Sequence, residues 1–162
     1  MKPMDFFGIL DALARHDVSF VLIGGLAARL HGSPTVTDDV DICPARGDDD
    51  LHRLANFLTS IEARLRGVDD DVPFLLDAKS LNTGMNFTFN TSLGALDILG
   101  EPEGTRGYED LAANAVEMDI DGRTIQVASL DDLMRMKEAA GRPKDRIELE
   151  VLGALRDEIE GR

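Results

Sequence analysis

The sequence contains little cysteine and no long apolar run. Cys43 is the one cysteine among 162 residues, so an internal disulfide is excluded, and no Cys or His accompanies it at zinc-ligand spacing. Apolar residues make up 43% of the chain, but they never continue for about 18 positions, the length needed to span a bilayer. Residues 1–5 lack the basic-then-apolar layout of a secretory signal. We therefore expect a cytoplasmic protein in which Cys43 is a small buried residue of a strand.

Basic residues are also scarce. The chain has 17 Lys and Arg residues against 31 Asp and Glu residues, which gives a formal net charge of −14. Because affinity for a polyanion comes chiefly from cationic side chains, extended contact with DNA is not expected. Five basic residues nevertheless fall within twelve positions: Arg135, Lys137, Arg142, Lys144 and Arg146. This segment is predicted to receive a phosphate, with a solvated helix face as the alternative interpretation.

The length fits one domain, which we expect to cover residues 1–162 around a single core. Apolar spacing and turn residues predict helices over about 4–16, 26–30, 48–65, 129–140 and 145–159. They predict strands over 18–23, 39–43, 86–90, 95–99, 116–120 and 124–127, with Asp121-Gly122-Arg123 joining the last two as a hairpin, because Asp-Gly suits a primed turn. The acidic runs 48–50 and 69–71 are interpreted as a helix start and a solvated loop. The order predicts an α+β fold with a mixed or antiparallel central sheet and helices packed mainly on one side.

Two aspartates in one predicted strand provide the strongest chemical signal. Asp39 and Asp41 are two positions apart, so their carboxylates leave the same face of the sheet and repel each other. A divalent cation between them would relieve the repulsion, and Mg²⁺ prefers carboxylate and phosphate oxygens. Asp97, in a strand predicted to join the same sheet, supplies a third carboxylate. The three aspartates therefore predict a site for one or two Mg²⁺ ions, with Mn²⁺ as the alternative, and for a nucleoside triphosphate (NTP).

Gly24-Gly25 follows a predicted strand and precedes a predicted helix. Its backbone can approach a ligand closely, and its N–H groups can face an anion. A tight structural turn is the alternative interpretation. The segment is not a P-loop, because no Gly-Lys-Ser/Thr follows, and it lacks the third glycine of a dinucleotide fingerprint.

Taken together, these features resemble a known superfamily. Residues 21–42 contain Gly24-Gly25, a His-Gly loop and a Thr-x-Asp-x-Asp stretch, and they are similar to the signature of the DNA polymerase β-like nucleotidyltransferases. The similarity is greatest to AbiEii-like and other minimal bacterial nucleotidyltransferases. Segments 129–137 and 141–145 agree, because they resemble the Lys…Arg-Pro-Lys-Asp segment of those proteins. The resemblance covers roughly residues 5–155, nearly the entire chain.

The resemblance implies a role for each motif. Asp39 and Asp41 would hold the metal ions, while Asp97 would complete the site and help deprotonate the attacking hydroxyl. Lys137 would offset charge that develops on the triphosphate. The other implied nucleotide-binding residues are Gly24, Gly25, Thr37, Arg142, Lys144 and Asp145. For Asp145 the alternative is the N-cap of the last helix, and for His31 it is a structural role at a helix end.

The sequence departs from this pattern in two ways. Position 35 is Thr where many relatives carry Arg. The chain also ends soon after the Arg-Pro-Lys-Asp segment, without the long helical domain that often holds the acceptor. Both departures make nucleotide binding a safer expectation than turnover.

Three interpretations of function are open at this point. The first is a Mg²⁺-dependent nucleotidyltransferase that moves a nucleotide from an NTP, such as ATP, to a hydroxyl of a small molecule, a protein side chain or a tRNA end. The acidic charge would attract cationic antibiotics as acceptors. The second is a nucleotide-binding regulatory module with little turnover, such as one component of a toxin–antitoxin-like pair with a cognate protein partner. The third is an unrelated α+β protein, in which Asp97 would lie far from Asp39 and Asp41.

Overall fold

A computed structural model describes residues 3–67 and 74–161 of the chain. Within these ranges the helices are α1 (Phe6–Arg15), α2 (Gly24–Leu30), α3 (Asp48–Ser60), α4 (Ala78–Asn82), α5 (Tyr108–Asn114), α6 (Leu130–Ala140) and α7 (Pro143–Ile159). The strands are β1 (Phe20–Ile23), β2 (Asp39–Pro44), β3 (Arg64–Leu65), β4 (Asn86–Thr91), β5 (Gly94–Leu99), β6 (Val116–Ile120) and β7 (Arg123–Val127). The acidic run 69–71, predicted to be a solvated loop, lies outside the described residues.

The strands form one mixed sheet in the order β3-β4-β5-β2-β1-β7-β6. β1 pairs antiparallel with β2, while β2 runs parallel to β5 and β1 runs parallel to β7. The β4–β5 and β6–β7 pairs are antiparallel hairpins. The predicted α+β class and mixed sheet are therefore confirmed.

Alternation along the central strands separates an apolar face from a polar one. In β2, Val40 and Ile42 are fully buried, whereas the carboxylates of Asp39 and Asp41 leave the opposite face. The apolar face joins a single core, whose largest fully buried side chains are Phe57, Phe89, Ile9, Leu10, Leu13, Leu22, Ile42, Leu54, Leu58, Leu81, Leu96 and Ile98. The core thus fixes β2 in the sheet and leaves its carboxylates available for a ligand.

Asp121 and Gly122 form a two-residue turn, and Arg123, predicted to belong to the connection, is the first residue of β7. The φ angles of Asp121 and Gly122 are 53° and 81°, and a type I′ turn requires positive φ at both positions. Ile120 pairs with Arg123 across them. The predicted β6–β7 hairpin is confirmed.

Three short elements and some helix ends differ from the sequence predictions. β3, α4 and α5 contain 2, 5 and 7 residues, too few for apolar periodicity to define them. α3 ends at Ser60, before the predicted residue 65. Glu62 adopts a φ of 54°, and the N–H of Ala63 donates to the carbonyl of Leu58, which closes the helix end. α7 begins earlier than predicted, because Pro143 fits the first position of a helix.

Cys43 lies fully buried in β2. Burial raises the pKa of its thiol to about 12, so the thiol stays protonated at neutral pH and is a poor nucleophile. The prediction of a small buried strand residue is confirmed. Of the helices in the described ranges, none is both long and apolar enough to cross a bilayer.

Candidate active site

Asp39, Asp41 and Asp97 lie on one face of the sheet at its centre. β2 runs parallel to β5, and Asp41 pairs in register with Asp97. Neighbouring strands are about 4.8 Å apart and paired residues point to the same face, so the two carboxylates stand side by side. Asp39 precedes Asp41 by two positions on that face. This placement contradicts the interpretation in which Asp97 is remote from the other two aspartates.

Gly24 packs directly against the carboxylate of Asp41. Its φ angle is +74°, and a Cβ atom built there would lie 2.1 Å from Oδ2 of Asp41. A Cβ atom on Gly25 would lie 2.7 Å from Cβ of Thr37. α2 begins at Gly24, so the two glycines start the helix rather than forming a turn before it. Their lack of side chains is what allows the helix to approach these site residues.

Gly24→Ala is expected to destabilise the fold more than Gly122→Ala. The φ angles of the two glycines are +74° and +81°, so alanine costs about 1–2 kcal/mol of backbone strain at either position. The new methyl group clashes only at Gly24, because no described residue other than the chain neighbours of Gly122 lies within 4 Å of the Cβ position there. We expect urea unfolding to show a further loss of about 2 kcal/mol for Gly24→Ala. Equal losses would contradict the close packing of Gly24 against Asp41.

The three aspartates open into a cavity of about 400 Å³ that α2, β2, β5, α6 and α7 help to line. Every predicted site residue except Asp145 lines it, and Asp145 borders an adjoining cavity of about 450 Å³. The cations in the lining are Lys137, Arg142 and Lys144. The carboxylates and the basic segment therefore face one space, as a site for a metal-bound triphosphate requires.

The carboxylates repel one another inside this cavity. Burial raises the pKa of Asp41, and the charges of Asp97 and Asp39 raise it further, to about 7. Burial also raises the pKa of Asp97, against the opposing charge of Arg66. Among the described residues, the buried Oδ1 atom of Asp41 has no hydrogen-bond partner. A buried carboxylate oxygen without a donor is costly, and a bound cation would relieve that cost.

The donor set fits a divalent cation that arrives with a substrate. Within residues 3–67 and 74–161, no three His, Cys, Asp or Glu side chains already converge closely enough to hold a metal. An oxygen of Asp97 instead accepts a hydrogen bond from Arg66. Mg²⁺ is usually bound through one or two carboxylates, with water and substrate phosphates as its other ligands. Asp39 and Asp41 meet this smaller requirement.

Arg66 is a residue of the site that the sequence analysis missed. Its Nη2 atom donates to Oδ1 of Asp97 at 3.1 Å and to the carbonyl of Phe89 at 2.9 Å. Its Nε atom donates to Oδ1 of Asn90 at 3.2 Å, and its backbone N–H bonds to the carbonyl of Thr88. No motif marks this arginine, because its position depends on the two-residue strand β3. Arg66 places a positive charge in contact with Asp97.

Lys137 reaches the cavity from α6. Its Nζ atom forms ion pairs with Glu148 of α7 and, at 3.4 Å, with Asp145. The side chain is 25% exposed, so a ligand in the cavity can contact it. Glu148 also lines the cavity. A phosphate that binds Lys137 must therefore compete with this carboxylate.

Asp145 organises the start of α7 from a fully buried position. Its Oδ2 atom accepts hydrogen bonds from the backbone N–H of Arg142 at 3.2 Å and from Nε of Arg142 at 2.6 Å. Arg142 is the N-cap and Asp145 is the third helical residue, so the N-cap alternative for Asp145 is wrong. Pro143 at the first helical position explains the shift. The bonds from Arg142 lower the pKa of Asp145 to about 2, so its carboxylate is ionised and holds Arg142 and Lys137 beside the cavity.

Short polar contacts hold the segment that joins α2 to β2. The hydroxyl of Thr37 donates to the backbone carbonyl of Asp39 at 3.3 Å, which fixes the start of β2. Arg29 donates to the carbonyl of Thr35 at 3.2 Å, so an arginine of α2 braces the loop at that position. Nε2 of His31 donates to the carbonyl of Ala128 at 2.8 Å. This tie between α2 and the segment after β7 supports the structural interpretation of His31.

Sequence comparison finds neither a matching family model nor a matching curated protein. Solved structures do share the fold. The lincosamide antibiotic adenylyltransferase LnuA, bound to lincomycin, superimposes with a TM-score of 0.63 at 14% identity, over 95% of this chain and 99% of its own. The chain has the nucleotidyltransferase fold. An antigenic nucleotidyltransferase-like protein from Paracoccidioides brasiliensis gives a TM-score of 0.55 at 16% identity, over 95% of this chain and 78% of its own.

A third structure with the nucleotidyltransferase fold is the antibiotic-resistance factor ANT(2″)-Ia in complex with adenylyl-2″-tobramycin. It gives a TM-score of 0.52 at 17% identity, over 97% of this chain and 95% of its own. These structures confirm the predicted fold. The closer similarity to AbiEii-like proteins stays a prediction.

On this nucleotidyltransferase fold, the predicted residues divide into two chemical groups. The aspartates form an acidic centre on β2 and β5, and the cations line the same cavity from the junction of α6 and α7. An acidic centre binds a divalent cation, and a basic wall binds phosphates. Asp97 is a candidate proton acceptor, because it lies beside Asp41 on the same sheet face and burial raises its pKa above that of an ordinary carboxyl.

Proposed function

We propose that this protein is a metal-dependent nucleotidyltransferase that acts in the cytoplasm and moves a nucleoside monophosphate from an NTP, such as ATP, to a hydroxyl acceptor. The observation that carries the proposal is the in-register pairing of Asp41 with Asp97, beside Asp39, in a cavity that also contains a basic wall. Structures with this fold include a lincosamide adenylyltransferase and ANT(2″)-Ia holding adenylyl-2″-tobramycin. Both names support nucleotidyl transfer as the reaction class.

The aspartates would divide the chemistry between metal binding and proton transfer. Asp39 and Asp41 would hold Mg²⁺ or Mn²⁺, which neutralises the triphosphate and polarises the bond between its α- and β-phosphates. The acceptor oxygen attacks the α-phosphorus and gives its proton to Asp97. The bond from the α-phosphorus to the bridging oxygen breaks, and pyrophosphate leaves.

Two walls of the cavity would contact the phosphates. The start of α2 presents the backbone of Gly24 and Gly25 to the cavity, because neither residue has a side chain to cover it. The junction of α6 and α7, which also lines the cavity, supplies positive charge. The proposed phosphate contacts are Gly24, Gly25, Thr37, Lys137, Arg142 and Lys144. Asp145 would act through Arg142 and Lys137, which it holds in place.

A nucleotide-binding regulatory module with little turnover, as one component of a toxin–antitoxin-like pair, is the second candidate. The ion pairs of Lys137 with Glu148 and Asp145 favour it, because they engage the ammonium group that transfer would use. Such a module would act through a cognate protein partner. Calorimetry separates the two candidates, since the module would bind NTP and Mg²⁺ but give no product on long incubation.

Incubation with each α-labelled NTP, Mg²⁺ or Mn²⁺ and a cell extract is expected to transfer label to an acceptor, and EDTA is expected to stop the transfer. Mass spectrometry of the labelled species then shows whether the acceptor is a small molecule, a protein side chain or a tRNA end. Asp39→Ala and Asp97→Ala are matched variants, because each removes one carboxylate from the same sheet face. Transfer that persists in both variants would show that these carboxylates are not the catalytic centre.

A further inference from the structure

The carboxylate face of the sheet continues from Asp97 onto β4. Thr88 pairs in register with Asp97. Asn86 pairs with Leu99, which itself lines the active-site cavity. Asn90 follows two positions after Thr88, and the three polar side chains of this face are exposed. We call Asn86, Thr88 and Asn90 the β4 row.

Arg66 borders the β4 row and balances the adjacent acidic charge. Its guanidinium contacts Asn90 at 3.2 Å and Asp97 at 3.1 Å, so it bridges the row and the carboxylate. The opposite charges of Arg66 and Asp97 nearly cancel, and β4 itself contains no charged residue. Among the described residues, the surface between Asp97 and the β4 row therefore has little net charge, although the whole chain carries a formal net charge of −14.

The groups of the β4 row suit neutral hydroxyl groups. Each asparagine amide offers N–H donors and a carbonyl acceptor, and the hydroxyl of Thr88 both donates and accepts. A polycation would gain little here, because the described residue that bridges the row and Asp97 is itself a cation, Arg66. A polyanion would be repelled by the aspartates at the reacting end. The row spans about 14 Å of extended strand, which matches one or two sugar rings.

We propose that the β4 row and Arg66 bind the acceptor, and that the acceptor is a neutral polyhydroxylated small molecule, a sugar or polyol, whose reacting hydroxyl lies at Asp97. This inference rests on the proposed nucleotidyl transfer. The proposed acceptor class differs from the cationic antibiotics expected from the net charge of the chain. The reason is that a bound acceptor interacts with the charge of the local surface, which differs from the net charge.

An acceptor panel tests the chemical class. Transfer from an α-labelled NTP with Mg²⁺ is measured with myo-inositol, maltose and sucrose as neutral compounds, tobramycin as a polycation and glucuronate as an anion. Label is expected on a neutral compound and on neither charged one. Label on tobramycin or glucuronate, or only on an extract component that is not a neutral polyol, overturns the acceptor assignment. If neither the panel nor the extract gains label, the proposed transfer itself fails.

A pair of threonine variants tests the location. Thr88→Val removes the hydroxyl of the β4 row but keeps the side-chain shape, and Thr124→Val makes the same change at an exposed position of β7. Thr88→Val is expected to raise KM for the labelled polyol about tenfold, with KM for NTP unchanged. Thr124→Val should change neither. An unchanged polyol KM in Thr88→Val overturns the proposed location.

A binding measurement provides a readout that does not depend on turnover. The neutral compound that accepts label in the panel is added in unmodified form, at high concentration and without NTP or metal. It is expected to shift the NMR amide signals of Asn86, Thr88 and Asn90. The signal of Thr124 should stay in place. If the signals of the β4 row do not shift, the inference is overturned, even if transfer to a polyol is observed.

Discussion

Asp41→Asn is expected to stabilise the folded protein and to slow nucleotide transfer roughly 10³-fold. In the folded state, burial and the charges of Asp97 and Asp39 raise the pKa of Asp41 from 3.8 to about 7. The folded protein therefore holds this proton across a pH range in which the unfolded chain has released it. Wild-type stability is lost as the pH rises from about 4 to about 7. Asparagine has no such proton, so the variant escapes this loss.

Urea unfolding in EDTA measures the stability effect of Asp41→Asn. At pH 8 the variant should be more stable than the wild type by about 2–4 kcal/mol, since one pKa unit corresponds to about 1.4 kcal/mol. The difference should widen from pH 4.5 to pH 8. Mg²⁺ should stabilise the wild type and have little effect on the variant. A difference that stays constant or narrows as the pH rises would contradict carboxylate repulsion at Asp41.

The same substitution should reduce nucleotide transfer roughly 10³-fold, which corresponds to about 4 kcal/mol of transition-state stabilisation. Asparagine keeps the size of the side chain but removes the negative charge that would hold the cation beside Asp39. The gain in stability excludes unfolding as the cause of lost activity. Near wild-type transfer by a more stable Asp41→Asn protein would remove Asp41 from the proposed metal site.

The centre of this site was predictable because strand alternation is a local property. Asp39 and Asp41 share a face in any strand, and Asp97 needed only the prediction that 95–99 joins the same sheet. Longer elements with clear apolar spacing, such as α1 and α6, were predictable for the same reason. The register that sets Asp41 beside Asp97 joins strands far apart in the chain, and only the structure defines it.

The supporting residues were not predictable because tertiary contacts place them. Arg66 follows a two-residue strand and bonds to Asp97, a partner 31 positions away. The contact of Gly24 with Asp41 depends on how α2 lies against β2. The sequence indicated that Gly24 lies at a position that favours glycine. It did not indicate that the carboxylate of Asp41 occupies the space where a side chain of residue 24 would lie. Local patterns thus locate the proposed reacting groups, and the long-range packing that orients them has no local signal.

Asp145→Asn is expected to destabilise the fold, opposite to Asp41→Asn. Asp145 is also buried, but Arg142 and Lys137 supply it with donors and positive charge. The hydrogen bonds from Arg142 lower the pKa of Asp145 from 3.8 to about 2. The ionised form therefore stabilises the folded state above about pH 4, and this contribution is lost only as the pH falls towards 2. An uncharged amide cannot replace it.

We expect Asp145→Asn to lose about 2–3 kcal/mol of unfolding free energy, because the substitution leaves cations without their buried partner. The exposure of Arg142, at 63% of its side chain, limits the loss, since its guanidinium can return to water. Between pH 4.5 and pH 8 the loss should stay constant, because Asp145 is ionised in both the folded and the unfolded wild type. Urea unfolding of Asp41→Asn and Asp145→Asn in the same buffers compares one chemical change at two buried aspartates. If both substitutions change the unfolding free energy in the same direction, or if the loss at Asp145 grows with pH, the explanation is wrong. Neighbouring charge would then not determine whether a buried carboxylate stabilises or destabilises this fold.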